Sequence, residues 1–154
     1  MSILPLKDLV AGLGRDQRIL GLDLGSKTIG LALSDVSRTI ASPLSLLNRK
    51  KFTQDAIALF EIVDKQEVGA LVLGLPVSMD GTEGPRCQST RSFADNLLKL
   101  RDIPISFWDE RWSTAAVTRT LLEADASRAR RAELVDKLAA AYILQGALDA
   151  TKLP

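Results

Sequence analysis

RILGLDLGSKTIGLALSD, residues 18–35, reads as two short apolar runs joined by a tight polar turn. Ile19, Leu20, Leu22 and Leu24 make the first run, and Thr28-Ile29-Gly30-Leu31-Ala32-Leu33 resumes the pattern after Gly25-Ser26-Lys27. Apolar runs of that length with a short Gly-containing connection specify a β-hairpin. Asp23 interrupts the first run where a buried strand would be wholly apolar. Left uncompensated, a carboxylate in such a place costs on the order of several kcal/mol. Two arrangements answer that cost: a strand-end aspartate bonded to turn amides, or a carboxylate that holds a metal ion.

Working outward, the flanking segments extend the hairpin into a larger sheet. Residues 1–16 form a lead-in whose Leu6–Leu13 section suits a short helix ended by Gly12 and Gly14. Beyond the hairpin, Arg38-Thr39-Ile40-Ala41-Ser42-Pro43-Leu44 predicts a third strand, and Pro43 fits an edge or an end rather than a central position. From Phe52 the period becomes helical, with Ile57, Phe60, Ile62 and Val63 at three- and four-residue spacing until Gly69. Ala70-Leu71-Val72-Leu73-Gly74-Leu75 is a continuous apolar run of the kind found in strands covered on both faces. Pro76 to Pro85 is a loop around Asp80-Gly81, followed by a helix over about Arg86–Leu100.

Ile103 to Trp108 makes a further strand running into Asp109-Glu110-Arg111, and Ser113 or Thr114 can cap a helix through about Glu123. Ala124 to Arg131 reads as a basic connection or flap, and the last helix is expected over roughly Ala132–Ala150. Three strands joined as an antiparallel meander, then two crossovers, lay the fourth and fifth strands parallel to the first. The expected fold is therefore α/β: a mixed five-stranded sheet with helices on both faces, an RNase H-like architecture, forming a single domain over 1–154.

Composition narrows the chemistry. No apolar run approaches the ~20 residues that span a bilayer, and the N-terminus lacks the sections of a signal peptide. The lone cysteine, Cys87, cannot form an internal disulfide, which makes a cytoplasmic location the expectation. A formal net charge of +1 disfavours a broadly polybasic binder while leaving room for local basic patches. There is no histidine, which excludes Ser-His-Asp and Cys-His catalysis and His-ligated zinc. Any metal must be held by oxygen, which points to Mg²⁺ or Mn²⁺.

Three acidic positions interrupt apolar surroundings: Asp23 in the first strand, Glu110 beside Asp109 at the end of the fifth, and Asp136 near the start of the last helix. Sites in such sheets form beyond the carboxyl ends of the strands. The small residues Ala139-Ala140-Ala141 would let the last helix approach the sheet closely. Carboxylates gathered at that edge repel one another, and divalent cations offset the repulsion. Such a cage suits phosphodiester hydrolysis by two metal ions about 4 Å apart. Plainer readings stand beside this one. Asp136 also fits a complement to the helix dipole, Glu110-Arg111 a local ion pair, and Glu83 a solvated loop acid. Arg128, Arg130 and Arg131 fit a solvated basic face as well as phosphate contacts. Gly25-Ser26-Lys27-Thr28 fits a plain turn as well as a phosphate cradle, and Trp108 and Trp112 fit packing better than base stacking.

Four segments taken together resemble the YqgF (RuvX) family in order and spacing: Asp23-Leu24-Gly25-Ser26-Lys27-Thr28-Ile29-Gly30; Leu73-Gly74-Leu75-Pro76 with Asp80-Gly81-Thr82-Glu83-Gly84; Trp108-Asp109-Glu110-Arg111-Trp112-Ser113-Thr114; and Val135-Asp136-Lys137-Leu138-Ala139-Ala140 with Ile143-Leu144-Gln145. The likeness runs from about Arg18 to Leu148. Members are RNase H-fold nucleases related to the RuvC resolvases, described as Holliday-junction resolvases and, in bacteria, as the nuclease implicated in maturing the 5′ end of pre-16S rRNA. The resemblance implies that Asp23, Glu110 and Asp136 are the metal-binding catalytic set, with Glu83 or Asp109 open as sharers of the middle role. It makes Lys27, Arg111, Arg128, Arg130 and Arg131 candidate phosphate contacts. Trp112 departs from the pattern, standing where the family has a smaller aliphatic residue.

The leading expectation is a Mg²⁺- or Mn²⁺-dependent endonuclease that processes pre-16S rRNA in ribosome biogenesis. Its partners would be nucleic acid and ribosomal particles, with no membrane, and it would act as a monomer or homodimer. A resolvase on branched DNA and a non-catalytic nucleic-acid or transcription-associated binding protein are the alternatives. An ATP-dependent phosphotransferase of the actin and sugar-kinase type would need a second such domain, which a chain of 154 residues does not supply.

Overall fold

The computed structural model describes residues 3–112 and 128–152, and side chains from 138 onward in the second of these segments. The helix expected over Ser113–Glu123 and the first part of the Ala124–Arg131 connection lie outside the described residues.

Strand β1 (Arg18–Leu24) and β2 (Thr28–Ser34) form the hairpin, with Asp23 opposite Gly30 and Leu24 opposite Ile29. Strand β3 (Ala41–Asn48) pairs antiparallel with β2, completing the meander. Helix α1 (Leu6–Ala11) precedes the hairpin, and α2 (Phe52–Lys65) leads into β4 (Val68–Leu75), which lies parallel to β1. Helix α3 (Pro85–Leu100) leads into β5 (Ile105–Asp109), parallel to β4, and a 3₁₀ turn, Glu110–Trp112, follows. Helix α4 (Arg128–Thr151) closes the chain. The sheet order β3-β2-β1-β4-β5 puts β1 at its centre, the mixed five-stranded arrangement expected.

Alternation along β1 explains the two layers. Leu20, Leu22 and Leu24 face α2 and α3, packing with Leu59, Val63, Phe93 and Leu97. Ile19 faces the other way, with Ala70, Val72 and Trp108 beneath Ile143, Leu144 and Leu148 of α4 and Leu9 of α1. Gly21 and Asp23 share the α4 face by the period of two. The edge of β5 is covered by the lead-in: the Leu4 amide donates to the Ile105 carbonyl at 2.8 Å, and the Ser106 hydroxyl donates to the Leu4 carbonyl.

Several boundaries differ from the sequence-based expectation, among them the fifth strand, which starts at Ile105 rather than Ile103, and the first helix, which ends at Ala11. The third strand runs over Ala41–Asn48 rather than from Arg38, because Arg38 has φ 55° and the Asp35 carboxylate accepts from the Thr39 and Ile40 amides, which closes a turn there. Pro43 is accommodated by a register shift on this outer strand, where Leu44 is the extra residue between Ser45, opposite Leu31, and Pro43, opposite Ala32. Gly69 lies inside β4 rather than before it, since the left-handed residue after α2 is Glu67, with φ 55°. The last helix starts at Arg128, so Arg128, Arg130 and Arg131 lie on α4 and not in a connection.

Candidate active site

Asp23 is buried, 5% exposed, one residue from the C-terminal end of the central strand. Its neighbours across the sheet carry no side chains on that face. Gly30 pairs with it on β2. On β4, Leu22 pairs with Leu73, so Gly74 is the next residue along beside Asp23. The two glycines leave space on the α4 face at the only point where a carboxylate enters the β1 pattern.

Glu110 reaches into that space. It opens the 3₁₀ turn after β5, is 5% exposed, and its Cγ lies 3.3 Å from where a Cβ on Gly74 would stand. With strands ~4.8 Å apart, that brings the Glu110 side chain within roughly 8 Å of Asp23. The strand between the two acids is no barrier, because it offers a glycine there. Both carboxylates therefore sit on one side of the sheet at the rim where parallel strands end, the usual place for an α/β site.

The other candidates for the middle acid sit in ion pairs with neighbouring arginines. Glu83 accepts two bonds from Arg91, each 2.7 Å, which hold its carboxyl below the ordinary range. Asp109 is lowered likewise by Arg111, which donates to it at 2.6 Å. Arg111 is thus bound to Asp109 rather than to Glu110, the pairing that the sequence had suggested. Cys87, buried in the first turns of α3, has its thiol pushed up by burial, with the charges of Glu83 and Glu110 adding to the effect.

Helix α4 approaches this face closely. A Cβ on Gly21 would fall 2.7 Å from the Leu144 Cβ and 3.3 Å from the Ala140 carbonyl, and one on Gly74 would fall 2.5 Å from the Ile143 Cδ1. The far end of the helix is tied to the opposite rim, where the Ala41 amide donates to Gln145 at 2.9 Å and Gln145 donates to the Thr39 carbonyl at 2.9 Å. Running from that rim back along β1, the backbone of α4 passes Gly21 at Ala140 and reaches Asp136 one turn earlier, toward the Asp23 end. The side chains of Asp136, Arg128, Arg130 and Arg131 lie outside the described residues. Among the described residues no three His, Cys, Asp or Glu side chains group closely enough to hold a metal ion.

Lys27 is exposed in the β1–β2 turn. Sequence reading missed two cations that border the same turn. Arg49, just past β3, donates from Nη1 to the Gly25 carbonyl at 2.7 Å, and Arg86, in the first turn of α3, donates from Nη2 to the Leu24 carbonyl at 3.4 Å. The Gly84-Pro85 helix start was a signal for Arg86; nothing in the local pattern marks Arg49. Trp112 is 69% exposed, its ring edge-on to Trp108 at 5.6 Å between centroids. Among the described residues no helix is long and apolar enough to cross a membrane.

Comparison with known proteins agrees with this architecture. A family model described as "RuvX: Holliday junction resolvase" matches residues 17–150. A protein of Paramagnetospirillum magneticum, curated under the name "Putative pre-16S rRNA nuclease", is 74% identical over 149 residues, covering 97% of this chain and 96% of that one. A Methylocella silvestris protein of the same name is 58% identical, covering 96% and 92%. Among solved structures, Thermus thermophilus RuvC in complex with a Holliday junction substrate aligns with TM-score 0.52 at 14% identity, over 87% of this chain and 94% of that one, a likeness of fold.

Proposed function

The chain belongs to the RuvX family, and from that premise we propose that it is a nuclease that trims the 5′ end of pre-16S rRNA by hydrolysing a phosphodiester bond. The observation that carries the reading is the pair of buried carboxylates, Asp23 and Glu110, separated at one rim by the bare backbone of Gly74. Two buried carboxylates this near each other repel, and a divalent cation held between them offsets that repulsion.

The donor set fits Mg²⁺ or Mn²⁺: the chain has no histidine, and the acids at the rim offer hard oxygen ligands. Asp23 and Glu110, with Asp136 from α4, would hold the ions. When bound, such ions lower the pKa of a water and stabilise the leaving oxygen. The chain's own part is to fix the carboxylates: β1 carries Asp23 in the middle of the sheet, the turn after β5 folds Glu110 over Gly74, and α4 packs against that face at Gly21 and Gly74. Lys27 and the arginines of α4 would meet the substrate strand. The location that goes with this work is the cytoplasm, among ribosomal particles.

The test is cleavage of a pre-16S 5′ leader with Mg²⁺ or Mn²⁺ by the natural chain and by Asp23→Asn. Loss of cutting in the variant is expected, and equal cutting overturns the assignment. The family description favours a second reading, resolution of branched DNA. Preferential cutting of a four-way junction over the RNA leader would select it. A full rescue of a deletion strain by Asp23→Ala would replace both with a binding role.

A further inference from the structure

Resting on the nuclease reading above, we propose that Arg49 and Arg86 bind the backbone phosphates of the substrate strand as it enters beside Asp23. The two residues are remote in sequence and come from different elements, yet both reach the backbone that closes β1. They hold consecutive carbonyls, Gly25 at 2.7 Å and Leu24 at 3.4 Å, and those carbonyls directly follow Asp23. The Arg49 guanidinium is further held over the Phe93 ring at 5.7 Å, which orients it before any substrate arrives.

Charge and place together separate this pair from the other arginines described: Arg18 and Arg38 also bond uncharged oxygens, but at the opposite end of the sheet. Arg91, Arg101 and Arg111 each face a carboxylate, at 2.7, 2.7 and 2.6 Å, and are neutralised by it. Among the described residues Arg49 and Arg86 bond to uncharged carbonyl oxygens, so each keeps its full positive charge at the rim. A guanidinium has five N–H donors in a planar fork, and one spent on a carbonyl leaves the others for phosphate oxygens. The 3.4 Å bond from the exposed Arg86 is long and readily exchanged for a shorter, charge-assisted one. A phosphate moving toward Asp23 and Glu110 meets like charge, and fixed cations at the entrance offset that repulsion.

A purely structural role, holding the β1–β2 turn, makes a different prediction, and the salt dependence of binding separates the two. The probe is a fluorescent RNA of the pre-16S 5′ leader, titrated in chelator between about 50 and 200 mM salt so that it is not cut. Arg49→Gln and Arg86→Gln should each weaken binding by roughly tenfold. Each should also flatten the slope of log K against log salt by about 0.7 to 0.9. Arg49→Lys should keep the slope while losing part of the affinity, and it stands in if Arg49→Gln does not fold. Arg101→Gln, at the far end of α3, should leave the slope unchanged.

The slope decides: unchanged in both glutamine variants, with or without a lower Tm, it overturns the proposal. Natural protein that binds the RNA with an arginine-dependent slope but cuts nothing would leave the phosphate contacts standing and remove the nuclease reading. Cutting with unchanged slopes would do the reverse.

Discussion

The two ends of the sheet each carry an aspartate from the hairpin and treat it in opposite ways. At one end Asp35 stands exposed just past β2, accepting from the Ser37 hydroxyl at 2.5 Å and from the Thr39 and Ile40 amides at 2.8 and 3.1 Å. Every one of those donors lies within five residues, so the turn satisfies the acid by itself. At the other end Asp23 is buried in the central strand, between two glycines, with Glu110 brought over from the far side of β4. The first arrangement is local and structural. The second uses three strands to bring two acids remote in sequence to one rim, the rim proposed above as the active site.

The sharpest way to break that contrast is Glu110→Gln. If the rim works as proposed, the variant should lose cleavage by about 10²- to 10³-fold or more while folding normally. Asp35→Asn, measured in the same cleavage assay on the pre-16S leader, should cut at the natural rate. Comparable losses in the two variants would mean that the ends of the sheet do not differ as argued.

Gly74→Ala probes the space between the acids rather than the acids themselves. The added methyl would meet the Ile143 Cδ1 at 2.5 Å and the Glu110 Cγ at 3.3 Å. Overpacking of this kind costs about 1–3 kcal/mol, and a displaced Glu110 should lower turnover of the folded fraction by roughly tenfold or more. Urea unfolding and single-turnover cleavage report the two effects separately. A variant that loses stability alone would show that Glu110 does not need its place over β4.

Much of this was legible beforehand, for identifiable reasons. The hairpin, the order of strands and helices and the buried β4 all follow from apolar periodicity, which local sequence carries directly. Asp23 announced itself as a charge in an apolar run. Glu110 was harder, since Asp109 and Glu110 are adjacent and only the geometry of the 3₁₀ turn shows that one bonds Arg111 and the other goes under α4. Gly69 was misread as a helix stop because a glycine serves turns and close contacts alike. Here a Cβ would fall 2.7 Å from the Gln17 Cδ and the Leu13 Cδ2, while Glu67 makes the turn. The grip of Arg49 and Arg86 on neighbouring carbonyls could not be read at all, because it depends on side-chain reach between elements that no sequence period connects.

The smallest effect lies at the quiet end and completes the contrast. Hydrogen bonds from Ser37, then from the Thr39 and Ile40 amides, hold the Asp35 carboxyl at about 2, against an ordinary value of 3.8. A group whose folded value is depressed contributes stability above its unfolded value and loses it as pH falls through the folded one. Asp35→Ala should therefore lower Tm slightly at neutral pH, the effect being muted by solvent. The gap between variant and natural chain should hold down to about pH 4, shrink between about 4 and 2, and close below that. Thermal melts across that range measure it. A gap that stays open at pH 1.5, or one that widens as the acid is protonated, would show that the turn is held by something other than the ionised carboxylate, and that the two aspartates of the hairpin are not the opposites described above.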